Sequence, residues 1–240
     1  MTSRWWWDGP GRRTRAAAGG SIMSGSLTIA AAAAALVAGV SPSTAYTAAD
    51  GAPPPPGSVT IDIATVNGSG CAQGVARVAL SGDNTAFTLS SGSFTVRLGG
   101  GAQPTDRRKN CQVNLAVQVP QGYTYAVAGA DLDGSANLAK GVTGTVRSDT
   151  YFQGGSATVT RSMRIVGPYN DGWQLSGNSD PADLLYAPCG GPRNLNINTS
   201  LQVDPGTADP AMAVGSLTLG DPFDGADTVH RLVWKRCPGS

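Results

Sequence analysis

Apolar and polar residues alternate strictly in three segments of the chain, at residues 59–63, 111–119 and 195–203. Successive side chains of a β-strand point to opposite faces, so each segment predicts a strand with one buried face and one face in water. Gly, Asp, Asn and Pro interrupt the apolar pattern about every eight to twelve residues, which is typical of sandwiches and barrels. We therefore expect an all-β fold, a two-sheet antiparallel β-sandwich that is jelly-roll-like.

Further strands are expected where strand-forming residues lie between turn signals. They are residues 75–80, 93–98, 123–132, 145–153, 157–166, 214–219 and 228–236. Together with the alternating segments they make about ten strands. A short helical turn is expected at residues 182–186, because Asp180-Pro181 is a helix start signal.

The first part of the chain has the layout of an export signal. Arg12, Arg13 and Arg15 precede an apolar stretch at residues 27–40, and small residues follow it. This predicts a secretory signal peptide over residues 1–45, with cleavage at about residues 45–49. An uncleaved membrane anchor is the alternative, although the stretch is rich in alanine and weakly hydrophobic for a stable span.

Two further regions follow the signal. Residues 46–57 contain four consecutive prolines and predict an extended, Pro-rich linker. Residues 58–240 are expected to form a single β-sandwich domain. The protein is therefore expected to be extracellular and secreted, with cell-surface association as an open alternative and no stable membrane insertion after signal cleavage.

Composition supports the β-rich prediction and excludes one class of partner. All 16 acidic residues are Asp, and the chain has 33 Gly. Glu is a good helix former, whereas Asp and Gly favour turns, so long helices are not expected. The formal net charge is +1. A charge so close to zero argues against a dedicated nucleic-acid-binding protein, which usually has a strongly basic face.

The four cysteines are Cys71, Cys111, Cys189 and Cys237. An exported chain keeps disulfides, and four cysteines allow three pairings that the sequence does not decide between. We favour Cys71–Cys111 with Cys189–Cys237, because each bridge then links the ends of one half of the domain. A metal site is the alternative, but the chain has no C-x-x-C spacing and one histidine.

Several motifs together resemble family 4360 of the domains of unknown function. They are VTID at residues 59–62, NGSGC at 67–71, PTDRRKNCQ at 104–112, PCG at 188–190, RNLNIN at 193–198 and WKRC at 234–237. The likeness covers residues 57–237 and has a specific motif order. It implies a secreted β protein with disulfides, from actinobacteria or filamentous fungi. It implies no activity, because the family has no catalytic or binding residues to carry over.

The polar face of the strand at residues 195–203 is a candidate ligand site. Asn194, Asn196 and Asn198 fall on one side of it, and amide rows on flat sheets suit sugar hydroxyls. Trp173 and Tyr169 are expected to supply an aromatic stacking platform. The alternative is that the row is only the wet face of an antiparallel strand.

Acidic residues give a second candidate site. Asp131, Asp133 and Asn137 are candidate ligands of a structural calcium ion, the one cofactor considered. Asp131 and Asp133 are also candidates for carboxylate catalysis, which needs two acids about 5–9 Å apart. Turn-forming Asp beside Gly134 is the alternative to both. Catalysis by a Ser-His-Asp triad would need His230, whose strand face also carries apolar residues, as expected for a packed histidine.

The sequence therefore predicts a secreted β-sandwich that is a non-enzymatic binding or surface-associated protein, with polysaccharide or cell wall as the candidate partner. No catalytic residue is assigned, and the absence of Glu and the single histidine weigh against an enzyme. One alternative is a secreted hydrolase or lyase that uses Asp carboxylates. The other is a structural exoprotein without a small ligand.

Overall fold

The computed structural model describes residues 51–71, 74–221 and 226–238. Their strands are β1 (Thr60–Asn67), β2 (Arg77–Leu80), β3 (Ala86–Ser91), β4 (Phe94–Leu98), β5 (Arg108–Gln118), β6 (Tyr123–Leu138), β7 (Thr143–Phe152), β8 (Val159–Val166), β9 (Tyr169–Asn178), β10 (Leu195–Asp204), β11 (Gly215–Leu219) and β12 (Ala226–Arg236). Two short 3₁₀ turns, Pro104–Arg107 and Pro181–Asp183, are the helical elements of this part of the chain.

The strands form two antiparallel sheets. The five-stranded sheet has the order β1-β5-β10-β7-β8. The seven-stranded sheet has the order β2-β3-β12-β6-β11-β4, and β9 also pairs with β6. The all-β, two-sheet sandwich predicted from the alternation is confirmed.

The core lies between the inward faces of the sheets. Leu115, Ile197 and Leu201 enter it from the five-stranded sheet, and Leu132 and Leu217 from the seven-stranded sheet. All five are essentially inaccessible to solvent. Burial of such side chains is worth about 1.5–3 kcal/mol each, so the alternating pattern sets which face of each strand turns inward.

The structure contains two strands that the sequence pattern did not predict, β3 and β9. It also extends β6 to Leu138, beyond the predicted end at residue 132. Asp133 and Gly134 therefore lie within a strand, because β9 pairs with β6 from Gly129 to Leu138. The helical turn expected at residues 182–186 is the 3₁₀ turn Pro181–Asp183, whose Ala182 N–H donates to the Asp180 carboxylate at 2.9 Å.

Both favoured disulfides are confirmed. Cys71–Cys111 joins the segment after β1 to β5 across 40 residues of sequence. Cys189–Cys237 joins the segment before β10 to the residue after β12 across 48 residues. The second bridge therefore links the connection between β9 and β10 to the end of β12.

The predicted signal peptide, residues 1–45, lies outside the described residues, as does the first part of the predicted linker. The described part of that linker packs on the domain: Pro54 is buried, and the amide of Asn84 donates to its carbonyl at 3.0 Å. Within the described ranges, no helix has the length and apolar character needed to span a bilayer.

Candidate functional site

The outward face of the five-stranded sheet carries a ladder of amide side chains from β5 and β10. Asn196 is its centre: it is 4% exposed, and its Oδ1 accepts hydrogen bonds from Asn114 Nδ2 at 2.9 Å and Gln112 Nε2 at 3.4 Å. Asn194 and Asn198 continue the ladder on either side. The amide of Asn194 donates to Asn114 Oδ1 at 2.5 Å.

The other end of the ladder has a similar hydrogen bond between two amide side chains. Asn110 Nδ2 donates to Asn198 Oδ1 at 3.1 Å. Each amide has two donor hydrogens and an acceptor oxygen, so the bonds within the ladder leave further donors and acceptors unused. The ladder therefore brings Asn194, Asn196 and Asn198 together, as the alternation of β10 predicts.

An aromatic side chain that the sequence analysis did not select lies beside the ladder. Tyr151 on β7 is the cross-strand neighbour of Asn196, on the side opposite Asn114. Paired residues of neighbouring strands share a face, so the half-buried phenol ring lies next to the amides. Alternation in β7 was the available signal, because Tyr151 follows the outward residues Arg147 and Asp149. We call this surface, with the six amides and Tyr151, the amide face.

The charges on the β7 side of the amide face are paired with one another. Arg147 Nε donates to Asp149 Oδ2 at 2.8 Å, and its Nη2 donates to the Thr160 hydroxyl at 3.2 Å. That hydroxyl donates in turn to Asp149 Oδ1 at 2.6 Å. An exposed pair of this kind contributes little to stability, but it leaves this part of the face without net charge.

The structure does not bring Trp173 and Tyr169 to the amide face. Both lie on β9, which pairs with the seven-stranded sheet. Trp173 is 5% exposed and donates its indole N–H to the Ser135 carbonyl at 3.1 Å, while the Tyr169 hydroxyl donates to the Gly172 carbonyl at 2.5 Å. This corrects the expectation that they form a stacking platform with the asparagines, because the indole is a core side chain.

The candidate calcium ligands lie along an extended strand. Asp131, Asp133 and Asn137 follow one another on the outward side of β6, where alternate residues are about 7 Å apart. Arg231 donates to both carboxylate oxygens of Asp131. Its hydrogen bond is the main cause that lowers the pKa of that carboxyl below its ordinary value. This spacing and the bound Asp131 do not favour a calcium site, and the described residues hold no group of three metal-ligating side chains.

His230 is enclosed by the core. It is 1% exposed, it stacks on Phe87 with ring centroids 4.8 Å apart, and its Nε2 lies 3.0 Å from the Thr228 hydroxyl. Burial, followed by the positive charges of Arg161 and Arg231, lowers the pKa of His230 to about 3. The imidazole is therefore neutral at ordinary pH, and its location is that of a packed histidine.

A cleft of about 810 Å³ lies at the end of the sandwich, next to the amide face. We call it the end cleft. Its walls are the end of β5, the β5–β6 connection, the start of β6, the segment leading into β10, and Cys237 with Pro238. Asn194 lines the cleft and also belongs to the amide ladder, so the two surfaces are continuous.

Comparisons with known proteins agree with the sequence motifs. The model of a family described as "Domain of unknown function (DUF4360)" matches residues 57–237. A curated protein of Arthroderma benhamiae, described as "Uncharacterized secreted protein", is 33% identical over 188 residues, which are 77% of this chain and 74% of the relative. That relative and the two disulfides agree on an oxidising location, and the chain is a secreted protein.

Solved structures with some likeness to this chain include TmCBM61 in complex with β-1,4-galactotriose. Its TM-score is 0.28 at 12% identity, over 72% of this chain and 88% of that chain. The enzymatically active domain of tailspike protein 4 of bacteriophage CBA120 has a TM-score of 0.23 at 12% identity, over 75% of this chain and 20% of that chain. At these TM-scores neither likeness bears on function.

Proposed function

We propose that this chain, which belongs to the DUF4360 family, is a non-enzymatic binding protein that holds a neutral polysaccharide on its amide face. One observation carries the proposal. The amides of β5 and β10 are fixed by hydrogen bonds to one another, with the ring of Tyr151 directly beside the central Asn196.

The chemistry of the amide face suits a sugar polymer. A sugar hydroxyl both donates and accepts, and a carboxamide offers both functions at once. The Tyr151 ring adds an apolar surface for the C–H face of a pyranose, with a phenolic hydroxyl that remains available for hydrogen bonding. Neighbouring strands lie about 4.8 Å apart, so the five-stranded sheet offers a face about 20 Å wide.

The charge of the amide face favours a neutral polymer over an anionic one. Its central groups are uncharged amides, and Arg147 is paired with Asp149. A surface that binds nucleic acid or a polyanion through phosphate or sulfate groups needs unpaired Lys and Arg side chains. The amides carry no charge, and Arg147 on the neighbouring strand β7 is paired with Asp149, which supports a neutral ligand.

The carboxylates give less support to a hydrolase or lyase. A glycosidase needs one acid with a raised pKa to protonate the leaving group. The pKa of Asp131 is instead lowered, because Arg231 donates to its carboxylate. Asp133 lies exposed on the same strand, in the direction away from the core. This arrangement favours binding over catalysis at the predicted acids.

Retention of the full secreted chain on insoluble cellulose, chitin, β-1,3-glucan and cell-wall preparations tests the proposal. We expect retention on at least one matrix, and Tyr151→Ala to weaken it about tenfold, which is about 1.4 kcal/mol. Tyr169→Ala is the matched control, since Tyr169 is a half-buried tyrosine of the other sheet. Retention of Tyr151→Ala equal to that of the wild type, or no retention on any matrix, would overturn the proposal.

A further inference from the structure

The end cleft continues the amide face at one edge. On β5, Ala116 and Gln118 follow Asn114 at alternate positions, so they share the outward face of the ladder, and both line the cleft. Asn194 reaches the cleft from the β10 side in the same way. A linear ligand that lies on the amide face would therefore run into the cleft.

The cleft turns inward from that face. Val117 and Tyr125 also line it, and both are buried core residues that point between the sheets. The outer wall is the segment at residues 187–193, held by the Cys189–Cys237 bridge and by a 2.6 Å hydrogen bond from the Thr124 hydroxyl to the Ala187 carbonyl. A polymer that enters from the face therefore meets core side chains, Val117 and Tyr125, and this wall.

From this geometry we propose that the end cleft binds the terminal residues of the same neutral polysaccharide, so that the protein recognises a chain end as well as a chain surface. The inference rests on the proposed function. The inference adds to that function a terminal subsite, which internal segments of the polymer do not fill.

The size and lining of the cleft suit a terminal saccharide. A volume of about 810 Å³ lies within the usual range of about 300–1,000 Å³ for small-ligand sites. The side chains of Pro120, Tyr123 and Pro188 give apolar contact area, and Gln118, Gln121 and Asn194 give polar groups at the rim.

Polar groups inside the cleft also fit a neutral ligand. Arg193 is the one charged side chain among the described lining residues, and its Nη1 donates to the Gln153 carbonyl at 3.1 Å.

A glycine in the wall allows the cleft to be filled without disturbing its neighbours. A Cβ placed on Gly191 would meet no atom within 4 Å, and its backbone lies outside the left-handed region. Gly191→Trp should therefore add an indole at the wall of the cleft in a folded protein. Gly82→Trp is the matched control, because Gly82, in the β2–β3 connection, has the same open surroundings and does not line the cleft.

The experiment compares hexasaccharides with intact polymers of β-1,4-glucan, β-1,3-glucan and β-1,4-galactan by titration calorimetry on the full secreted chain. Chain ends are abundant in a hexasaccharide and scarce in a polymer. For a saccharide that the wild type binds, we expect Gly191→Trp to weaken hexasaccharide binding about tenfold and polymer binding less than about twofold. Gly82→Trp should leave both unchanged, and Tyr151→Ala should weaken both.

Two outcomes overturn the inference and leave the proposed function standing: Gly191→Trp binds the hexasaccharide like the wild type, or it loses hexasaccharide and polymer equally. Gln118 is an exposed residue of the cleft, and Gln118→Ala is a second test in case the Trp variant does not fold. We expect it to lower the affinity for the hexasaccharide several-fold and to leave polymer binding unchanged. If the wild type binds none of these saccharides but is retained on a matrix, only the terminal subsite falls. If it is also retained on no matrix, the proposed function falls with it.

Discussion

His230 shows how a single buried group couples the fold to pH. In the folded protein its pKa is about 3, because burial and the charges of Arg161 and Arg231 disfavour the imidazolium. In the unfolded chain a histidine titrates at about 6.5. The unfolded state therefore binds more protons between these two values, and the contribution of His230 to stability is complete above about pH 6.5 and is lost as pH falls toward 3.

We expect the free energy of unfolding to fall by up to about 5 kcal/mol from this group over that range, since each pKa unit corresponds to about 1.4 kcal/mol. Asp131, whose charge acts to raise the pKa of His230, is paired with Arg231 and stays ionised over the upper part of the range. Urea unfolding between pH 7 and 4.5 measures the slope. His230→Phe should flatten it while keeping the stacking on Phe87. An unchanged slope in this variant would contradict the assignment.

The strand β6 contains a glycine, Gly134, at a point where β9 pairs with it on one side and β11 on the other. A Cβ on Gly134 would lie 2.6 Å from the Trp173 ring, and the Thr218 carbonyl on β11 approaches the same position still more closely. Gly134→Ala should therefore destabilise the protein by about 1–3 kcal/mol, the usual cost of overpacking a core. Thermal unfolding gives the measurement.

Gly177→Ala is the control for that change. Gly177 lies on β9, the strand that pairs with β6, and a Cβ there would meet no atom within 4 Å. We expect its effect on the free energy of unfolding to remain within about 0.5 kcal/mol. Equal destabilisation by the two substitutions would show that glycine flexibility, rather than the close approach of Trp173 and the Thr218 carbonyl, sets the cost.

The same strand shows what sequence reasoning reaches and what it misses. Strict alternation predicted β1, β5 and β10, and with them the outward row Asn194, Asn196 and Asn198. It ended β6 too early at Asp133-Gly134, because turn propensity is a local property. Pairing with β9 and β11 supplies the backbone hydrogen bonds that override it.

The candidate site was partly predictable for a similar reason. A period of two tells which residues share a face of one strand, but it does not tell which strands are neighbours. Asn196 and Tyr151 meet only because β10 pairs with β7. The sequence favours Trp173 as part of a stacking platform beside the amides, yet it lies within β9 and its indole turns into the core.

On the scale of the whole molecule, the two disulfides close loops of similar length but join different parts of the fold. The loops span 40 and 48 residues. Loop-closure entropy for these lengths differs by only about 0.2 kcal/mol, and each bridge is expected to contribute about 4 kcal/mol. Cys71–Cys111 lies beside β1 and β5 of one sheet, whereas Cys189–Cys237 joins the cleft wall to the end of β12.

Two double variants separate stability from the shape of the end cleft. Cys71→Ala with Cys111→Ala, and Cys189→Ala with Cys237→Ala, should each lower the free energy of unfolding by a similar amount, about 3–4 kcal/mol, in urea titrations. Only the second pair releases the cleft wall, so only it should weaken hexasaccharide binding below that of the wild type under conditions where both variants are folded. Equal hexasaccharide affinity in the two variants would mean that the hydrogen bond from Thr124 to Ala187 holds the wall without the bridge.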